Sequence, residues 1–218
     1  MKKTGWMIWT VASAALLWTL PANADNDVVV RHFDKQLAVG DAKRVLVDIP
    51  VGQVVIEGTN DRQVHFEVSL ECDHKESECA EIAKRVRVVY STEDDELALR
   101  IKEWPKTRNK GLQARVRVQV PRNLPLVADL GVGELRVENM ASDVRADLGV
   151  GELSITMPES AVATVDADTG VGEANLSAGG RRFESSGLIA KEINWSKGPG
   201  KSRVEADCGV GEISIALK

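Results

Sequence analysis

The sequence has few of the residues on which most catalytic and nucleic-acid-binding sites depend. Its 218 residues include only three histidines and three cysteines, and acidic residues outnumber basic ones, which gives a net charge of −5. An acidic chain lacks the basic surface that binds phosphates, so we expect no nucleic-acid partner. No second long apolar run follows the first 24 residues, so we expect no membrane span in the mature chain.

Catalytic signatures are also missing. The three histidines, His32, His65 and His74, lack the spacing of a metal-binding pair, and Ser185-Ser186-Gly187 is not a nucleophile elbow. Carboxylates recur through the second half, as an enzyme acting on polysaccharide would need. That alternative is weak, because an active site is singular whereas these acids recur along the chain. We therefore predict a protein that is not an enzyme and has no resident cofactor.

The amino terminus has the pattern of a secretory signal peptide. Lys2 and Lys3 precede an apolar stretch at residues 6–20, which ends in Pro21 and a small-residue segment closed by Ala24. The apolar stretch is shorter than the roughly 20 residues that span a bilayer. Cleavage near Ala24 removes two lysines and takes the net charge from −5 to −7. We expect a periplasmic, secreted or cell-surface protein.

Export also determines how the cysteines are interpreted. Cys72 and Cys79 are separated by six residues, and an oxidising compartment favours their pairing in a disulfide. A zinc site using Cys72, His74 and Cys79 is the alternative, but it lacks a convincing fourth ligand. Cys208 is expected to point inward as a small apolar filler.

The second half contains four copies of Ala-Asp-x-Gly-Val-Gly-Glu, at residues 128–134, 146–152, 167–173 and 206–212. Their aspartates are 18, 21 and 39 residues apart. The last interval is almost twice the others, so we expect a degenerate copy near residues 183–193, with Gly187 at its first glycine position. A relative of the motif also stands upstream at residues 47–53.

The alternation of residue types within each copy predicts a strand, a corner and a second strand. In the second copy the apolar residues Val144, Ala146, Leu148 and Val150 are predicted to face inward, and Arg145, Asp147 and Gly149 outward. The alternation changes phase at Gly151, after which Leu153 and Ile155 face inward. Glycine suits such a corner because it tolerates positive φ, and the same change recurs at Gly133, Gly172 and Gly211.

A period near 20 residues with one corner per unit predicts an all-β fold, a β-solenoid-like stack of coils. A sandwich of hairpins is the alternative, because strand direction is not fixed by the sequence. We treat residues 25–218 as one domain. Its first part, residues 25–127, is predicted to form strands with a disulfide loop. The section between the upstream motif and the repeats is predicted to be a strand set that caps the first coils, with a short helix near residues 78–85 and a hairpin turn at residues 93–96. Residues 128–218 carry the repeats.

These segments resemble the putative-adhesin, or adhesin-like, domain family of exported bacterial β-repeat proteins. The resemblance rests on residues 47–58, on the lead-in at residues 118–126 and on the repeats, and it covers most of the mature chain. It implies stacked β-coils, and the adhesin name implies a shape rather than a general activity. The strict Asp-x-Gly-Val-Gly-Glu spelling and the segment between Cys72 and Cys79 depart from the looser family pattern.

The acidic positions of the repeats are the candidate binding residues. Stacking in register would form an outward column of Asp129, Asp147, Asp168 and Asp207, and another of Glu134, Glu152, Glu173 and Glu212. Adjacent like charges about 4.8 Å apart repel by about 0.9 kcal/mol even at a water dielectric. A divalent cation such as calcium would offset that repulsion. Backbone N–H donors at the corners, or Arg136 and Arg145, would offset it without any ligand.

Charge is also divided along the chain. Residues 100–122 contain eight basic residues and only Glu103 as an acid, whereas residues 128–173 are acidic. The two parts would permit self-association between copies, or the basic part would meet an anionic envelope component, although a solvated strand face is the simpler interpretation. We predict an interaction module for an envelope protein, a glycan or a neighbouring copy, with a calcium-dependent binder as the alternative.

Overall fold

The computed structural model describes residues 27–73, 76–106, 110–185, 191–196 and 198–218. The predicted signal peptide at residues 1–24 lies outside these ranges, as do His74 and Gly187. The described residues form one short α-helix, α1 (Cys79–Ala83), one 3-10 turn (Glu159–Ala161) and twelve strands: β1 (Asp27–Ala38), β2 (Arg44–Thr59), β3 (Gln63–Asp73), β4 (Arg87–Glu93), β5 (Glu96–Lys102), β6 (Leu112–Pro121), β7 (Leu126–Glu138), β8 (Val144–Met157), β9 (Val162–Ala178), β10 (Arg181–Glu184), β11 (Lys191–Trp195) and β12 (Ser202–Leu217). The all-β prediction is confirmed. No helix in the described part of the chain is both long and apolar enough to cross a membrane.

Five long strands change direction at a glycine. In β8, Val144, Ala146 and Leu148 are buried before the corner, and Leu153 and Ile155 are buried after it. The second glycine of each motif has a φ between +139° and +150°, a region that side-chain-bearing residues avoid: Gly52, Gly133, Gly151, Gly172 and Gly211. Each of these strands therefore has an amino-terminal leg and a carboxyl-terminal leg, and the predicted corner is confirmed.

The five bent strands pair in parallel, in the spatial order β2, β7, β8, β12 and β9. Motif residues stand opposite their equivalents, so that Asp129 faces Asp147 and Gly133 faces Gly151 across β7 and β8. Asp48 of β2 faces Asp129 in the same way. The upstream relative at residues 47–53 is therefore a structural member of the stack.

The stack does not follow chain order. The last repeat, β12, lies between β8 and β9, although β9 comes directly after β8 in the sequence. A degenerate parallel copy near residues 183–193 is not found in the described part of that segment, because β10 and β11 both pair antiparallel with β9. The structure is an open, mixed sheet of bent strands, and a solenoid of successive coils is not confirmed by it.

The strands of the first half other than β2 continue the sheet beside the two legs of β2. On the amino-terminal side β5 pairs with residues 44–48 of β2, and β4 pairs antiparallel with β5. Asp94 and Asp95, at φ +52° and +61°, form the predicted hairpin turn between them. On the carboxyl-terminal side β6 pairs with residues 52–59 of β2, and β3 and then β1 complete the sheet.

The insertion after β3 is closed by a disulfide between Cys72 and Cys79, whose Cα atoms are 5.9 Å apart. The disulfide prediction is confirmed. The zinc alternative is excluded, because disulfide sulfurs are not the thiolates that bind zinc. Cys79 also begins α1, so the bridge fastens the helix to the end of β3.

One cluster of buried apolar residues runs from Ala42 to Leu217 and takes side chains from both legs of the bent strands. Full burial of a Val, Leu, Ile or Phe side chain contributes about 1.5–3 kcal/mol, so this cluster is the main source of stability. Cys208 is 3% exposed and carries a free thiol in the cluster, which confirms that it points inward. Thr169 stands opposite it in β9 and is also buried.

Candidate interaction surface at the glycine corner

The valine of each repeat is exposed, and the prediction that it fills the interior is wrong. Val150 is 46% exposed, between buried Leu148 and buried Leu153. A Cβ atom on Gly149 or on Gly151 would overlap a carbonyl oxygen of the neighbouring strand β7. Both glycines therefore press their backbone against that strand, and the valine between them is left on the outside of the bend.

The stacked strands bring these valines into one line, which we call the valine ridge: Val51, Val132, Val150, Val210 and Val171, in spatial order. Among the described residues, six large apolar side chains are about half exposed, and four of them belong to the ridge. The other two, Val28 and Val29, lie on β1. Exposed apolar side chains are common singly, but a contiguous line of them is typical of a contact surface.

A row of aspartates borders the ridge on the amino-terminal side. Asp48, Asp129, Asp147, Asp207 and Asp168 stand opposite one another on successive strands, so the predicted column exists and has a fifth member in β2. Four of them, Asp48, Asp129, Asp147 and Asp207, line a shallow groove of about 450 Å³ together with motif glycines.

Crowding in this row changes its acid–base chemistry. Burial, followed by the neighbouring Asp147 carboxylate, raises the pKa of Asp129 to about 6. Burial and the same Asp147 also raise the pKa of Asp207. Because the folded pKa of Asp129 lies above the unfolded value of about 3.9, this group favours the fold most at low pH, and that contribution is lost as pH rises through about 6.

A row of glutamates borders the ridge on the other side and is partly neutralised. Arg136 donates to Glu134 at 2.6 Å. Lys191 reaches Glu173 at 3.8 Å. In the aspartate row Arg145 donates to Asp147 at 3.0 Å. These partners are the two arginines expected from the sequence and one lysine from β11.

The acidic rows do not by themselves form a metal centre. Within the described ranges, no group of three or more histidine, cysteine, aspartate or glutamate side chains is arranged to hold a metal ion. The eight acids proposed as calcium ligands therefore stay a prediction, with no geometric support beyond their alignment.

The basic run at residues 100–122 is partly paired with acids from other segments. Arg115 of β6 forms two hydrogen bonds to Glu71 of β3, at 2.9 and 3.0 Å, and Arg100 donates to Glu96 at 2.7 Å. Both pairs reduce the positive charge available to a partner, and the Arg115 pair also neutralises the buried Glu71. The run therefore presents less unpaired positive charge than its sequence predicts.

The three-dimensional structure is similar to solved bacterial structures. A putative cell adhesion protein from Clostridium sporogenes superposes with a TM-score of 0.54 and 18% identity, over 86% of this chain and 99% of that one. The chain has the fold of that cell adhesion protein. A putative adhesin from Bacteroides fragilis matches with a TM-score of 0.32 and 11% identity over 85% of this chain and 97% of its own. No protein-family model and no curated protein matches the sequence. The adhesin-like resemblance is thus confirmed at the level of the fold.

Proposed function

We propose that this chain is a non-catalytic, exported adhesin-type protein of the bacterial envelope, and that it binds a protein or glycan partner along the valine ridge. The observation that carries the proposal is the line of exposed valines between two rows of carboxylates. We further infer that β2 and the four repeats act as one coiled, solenoid-like body. The in-register parallel pairing of their corners supports that description.

The ridge has the dimensions of a contact surface. Five strands about 4.8 Å apart give it a length of about 19 Å, which matches a strand of about six residues or between three and four turns of helix from a partner. Burial of exposed valine is favourable by about 25 cal/mol per Å² of apolar area removed from water. The ridge would therefore supply the apolar centre of an interface, and the acidic rows its polar rim.

The flanking charges restrict the partner. Glu152 and Glu212 form no ion pair or side-chain hydrogen bond in the described structure, so the glutamate side of the ridge keeps negative charge. A complementary partner would carry apolar groups in a line with basic groups on that side. The signal-peptide pattern and the adhesin-like fold support an envelope location for this contact.

Site-specific photocrosslinking tests the proposal. A photoreactive amino acid at Val150 should capture one reproducible partner in the intact producing bacterium. The control position is Arg181 on β10, which is exposed but distant from the ridge in the fold. Capture of the same species from both positions, or from neither, would refute the proposed contact surface.

A further inference from the structure

A cleft of about 550 Å³ lies where three chain connections meet, and we call it the turn cleft. Its walls come from residues 39–40 after β1, residues 60–62 between β2 and β3, and residues 122–124 between β6 and β7. It is separate from the valine ridge. Thr59 at its edge is seven residues from the corner glycine Gly52 along β2, which is about 23 Å at the rise of an extended strand.

The walls of the cleft are held by backbone hydrogen bonds. The Arg122 N–H donates to the Thr59 carbonyl at 2.8 Å, and the Ala141 N–H donates to the Arg122 carbonyl at 2.7 Å. The Leu124 N–H donates to the Pro121 carbonyl at 2.9 Å and closes the turn. The Thr59 hydroxyl joins β6 to the connection after β2. It donates to the Val120 carbonyl of β6 and accepts from the Asp61 N–H, each at 3.3 Å. The cleft is therefore formed before any ligand arrives, which lowers the entropic cost of binding.

Two guanidinium groups line this cleft without partners. The side chains of Arg62 and Arg122 form no hydrogen bond or ion pair with any described residue, including Asp61, the one carboxylate in the lining. Arg44 and Arg100, by contrast, are paired with the Glu96 carboxylate. In a protein with a net charge of −5, the cleft is a local site of positive charge.

The other lining groups suit a sugar. Asn60 and Asn123 are exposed amides that can donate to and accept from hydroxyl groups. Val39 and Leu124 give the cleft apolar surface for the C–H faces of a ring. A guanidinium binds a carboxylate through two parallel hydrogen bonds, and the volume lies within the range of about 300–1,000 Å³ typical of small-ligand sites.

We propose that the turn cleft binds an acidic saccharide, with Arg62 and Arg122 holding the carboxylate of a uronic acid and Asn60 and Asn123 holding its hydroxyl groups. The site is independent of the valine ridge, so the chain would have two contact surfaces at different points of the same strands. A protein partner on the ridge and an acidic glycan in the cleft could be bound together.

Calorimetric titration of the mature chain, residues 25–218, with a short oligogalacturonate at low ionic strength tests the proposal. A neutral galacto-oligosaccharide of equal length is the comparison ligand. We expect binding of the acidic ligand only, weakened at least tenfold by Arg62→Ala and by Arg122→Ala. Arg122→Lys keeps the charge but cannot form the paired hydrogen bonds, so it should fall between wild type and Arg122→Ala.

The matched control is Arg85→Ala, since Arg85 is exposed like Arg62 and has no side-chain partner in the described structure. Its affinity should equal that of the wild type. Circular dichroism verifies that each variant is folded, and if an alanine variant is not, the Arg122→Lys comparison decides. Absence of acidic-ligand binding by the wild type, equal binding of the neutral ligand, or equal loss in Arg85→Ala would each overturn the assignment. None of these results depends on whether a partner is captured at the valine ridge.

Discussion

Gly151→Ala should destabilise the protein more than an alanine at an uncrowded glycine. Gly151 has φ +139°, where an alanine is strained by about 1–3 kcal/mol. Its new Cβ would also overlap the carbonyl oxygen of Gly133, which belongs to backbone and cannot move without disturbing the pairing of β7 with β8. Loss of one or two ladder hydrogen bonds adds about 1 kcal/mol each. The expected total is about 2–5 kcal/mol.

Gly40→Ala is the matched control. Gly40 also has a positive φ, +57°, but nothing lies within 4 Å of the position its Cβ would take. The cost there is the left-handed strain alone, about 1–2 kcal/mol. Urea denaturation of the mature chain, followed by circular dichroism, measures both. Equal losses of unfolding free energy would show that close packing between corners is not why the second glycine is needed.

Three further outcomes follow from the structure. Asp129→Asn should flatten the pH dependence of stability. The full pKa shift of Asp129 corresponds to about 3 kcal/mol. Solvent screening at this partly exposed site reduces it to about 1 kcal/mol. Between pH 4.5 and 7.5 the unfolding free energy of the wild type should therefore fall by about 1 kcal/mol relative to that of Asp129→Asn. Urea denaturation at both pH values measures this change, with Asp41→Asn as control. A difference in unfolding free energy between wild type and Asp129→Asn that is the same at both pH values would contradict a raised pKa of Asp129. Millimolar calcium should leave the thermal midpoint of the mature chain equal to that in chelator, because the described acids do not converge on an ion; an increase would restore the calcium-binding hypothesis. The Cys72→Ala/Cys79→Ala double variant should lose about 2 kcal/mol, since a short disulfide loop restricts the unfolded chain only modestly; a stability unchanged by the double variant and by reduction of the wild type would refute the bond's role.

The repeat predicted the corner well because its physical cause is local. Glycine at the second position can adopt the positive φ that the bend requires, and the alternation of Ala146 and Leu148 with polar residues identifies the inner face. Similarity of residues 47–53 to the motif also indicated that this segment is related to the repeats. These features depend on short segments, which the sequence shows directly.

The valine ridge and the order of the strands in the sheet could not be predicted from short segments of sequence. Val150 looks like an interior residue by composition, and its exposure results from the backbone contacts of Gly149 and Gly151 with another strand. The position of β12 between β8 and β9 depends on long-range pairing, for which equal motifs give no preferred neighbour. The turn cleft likewise joins residues 39–40, 60–62 and 122–124, which no sequence spacing connects.

The proposal that the valine ridge is the contact surface is tested most directly by measuring the affinity for the partner captured by photocrosslinking at Val150. Val150→Thr/Val210→Thr keeps β-branched side chains of similar shape but replaces two exposed apolar methyl groups by hydroxyls. Val28→Thr/Val29→Thr makes the same change at two valines that are equally exposed on β1. With about 0.8 kcal/mol lost per methyl group, the ridge variant should bind roughly tenfold more weakly. The β1 variant should bind like wild type. Equal affinities for the ridge variant and the wild type would contradict the account.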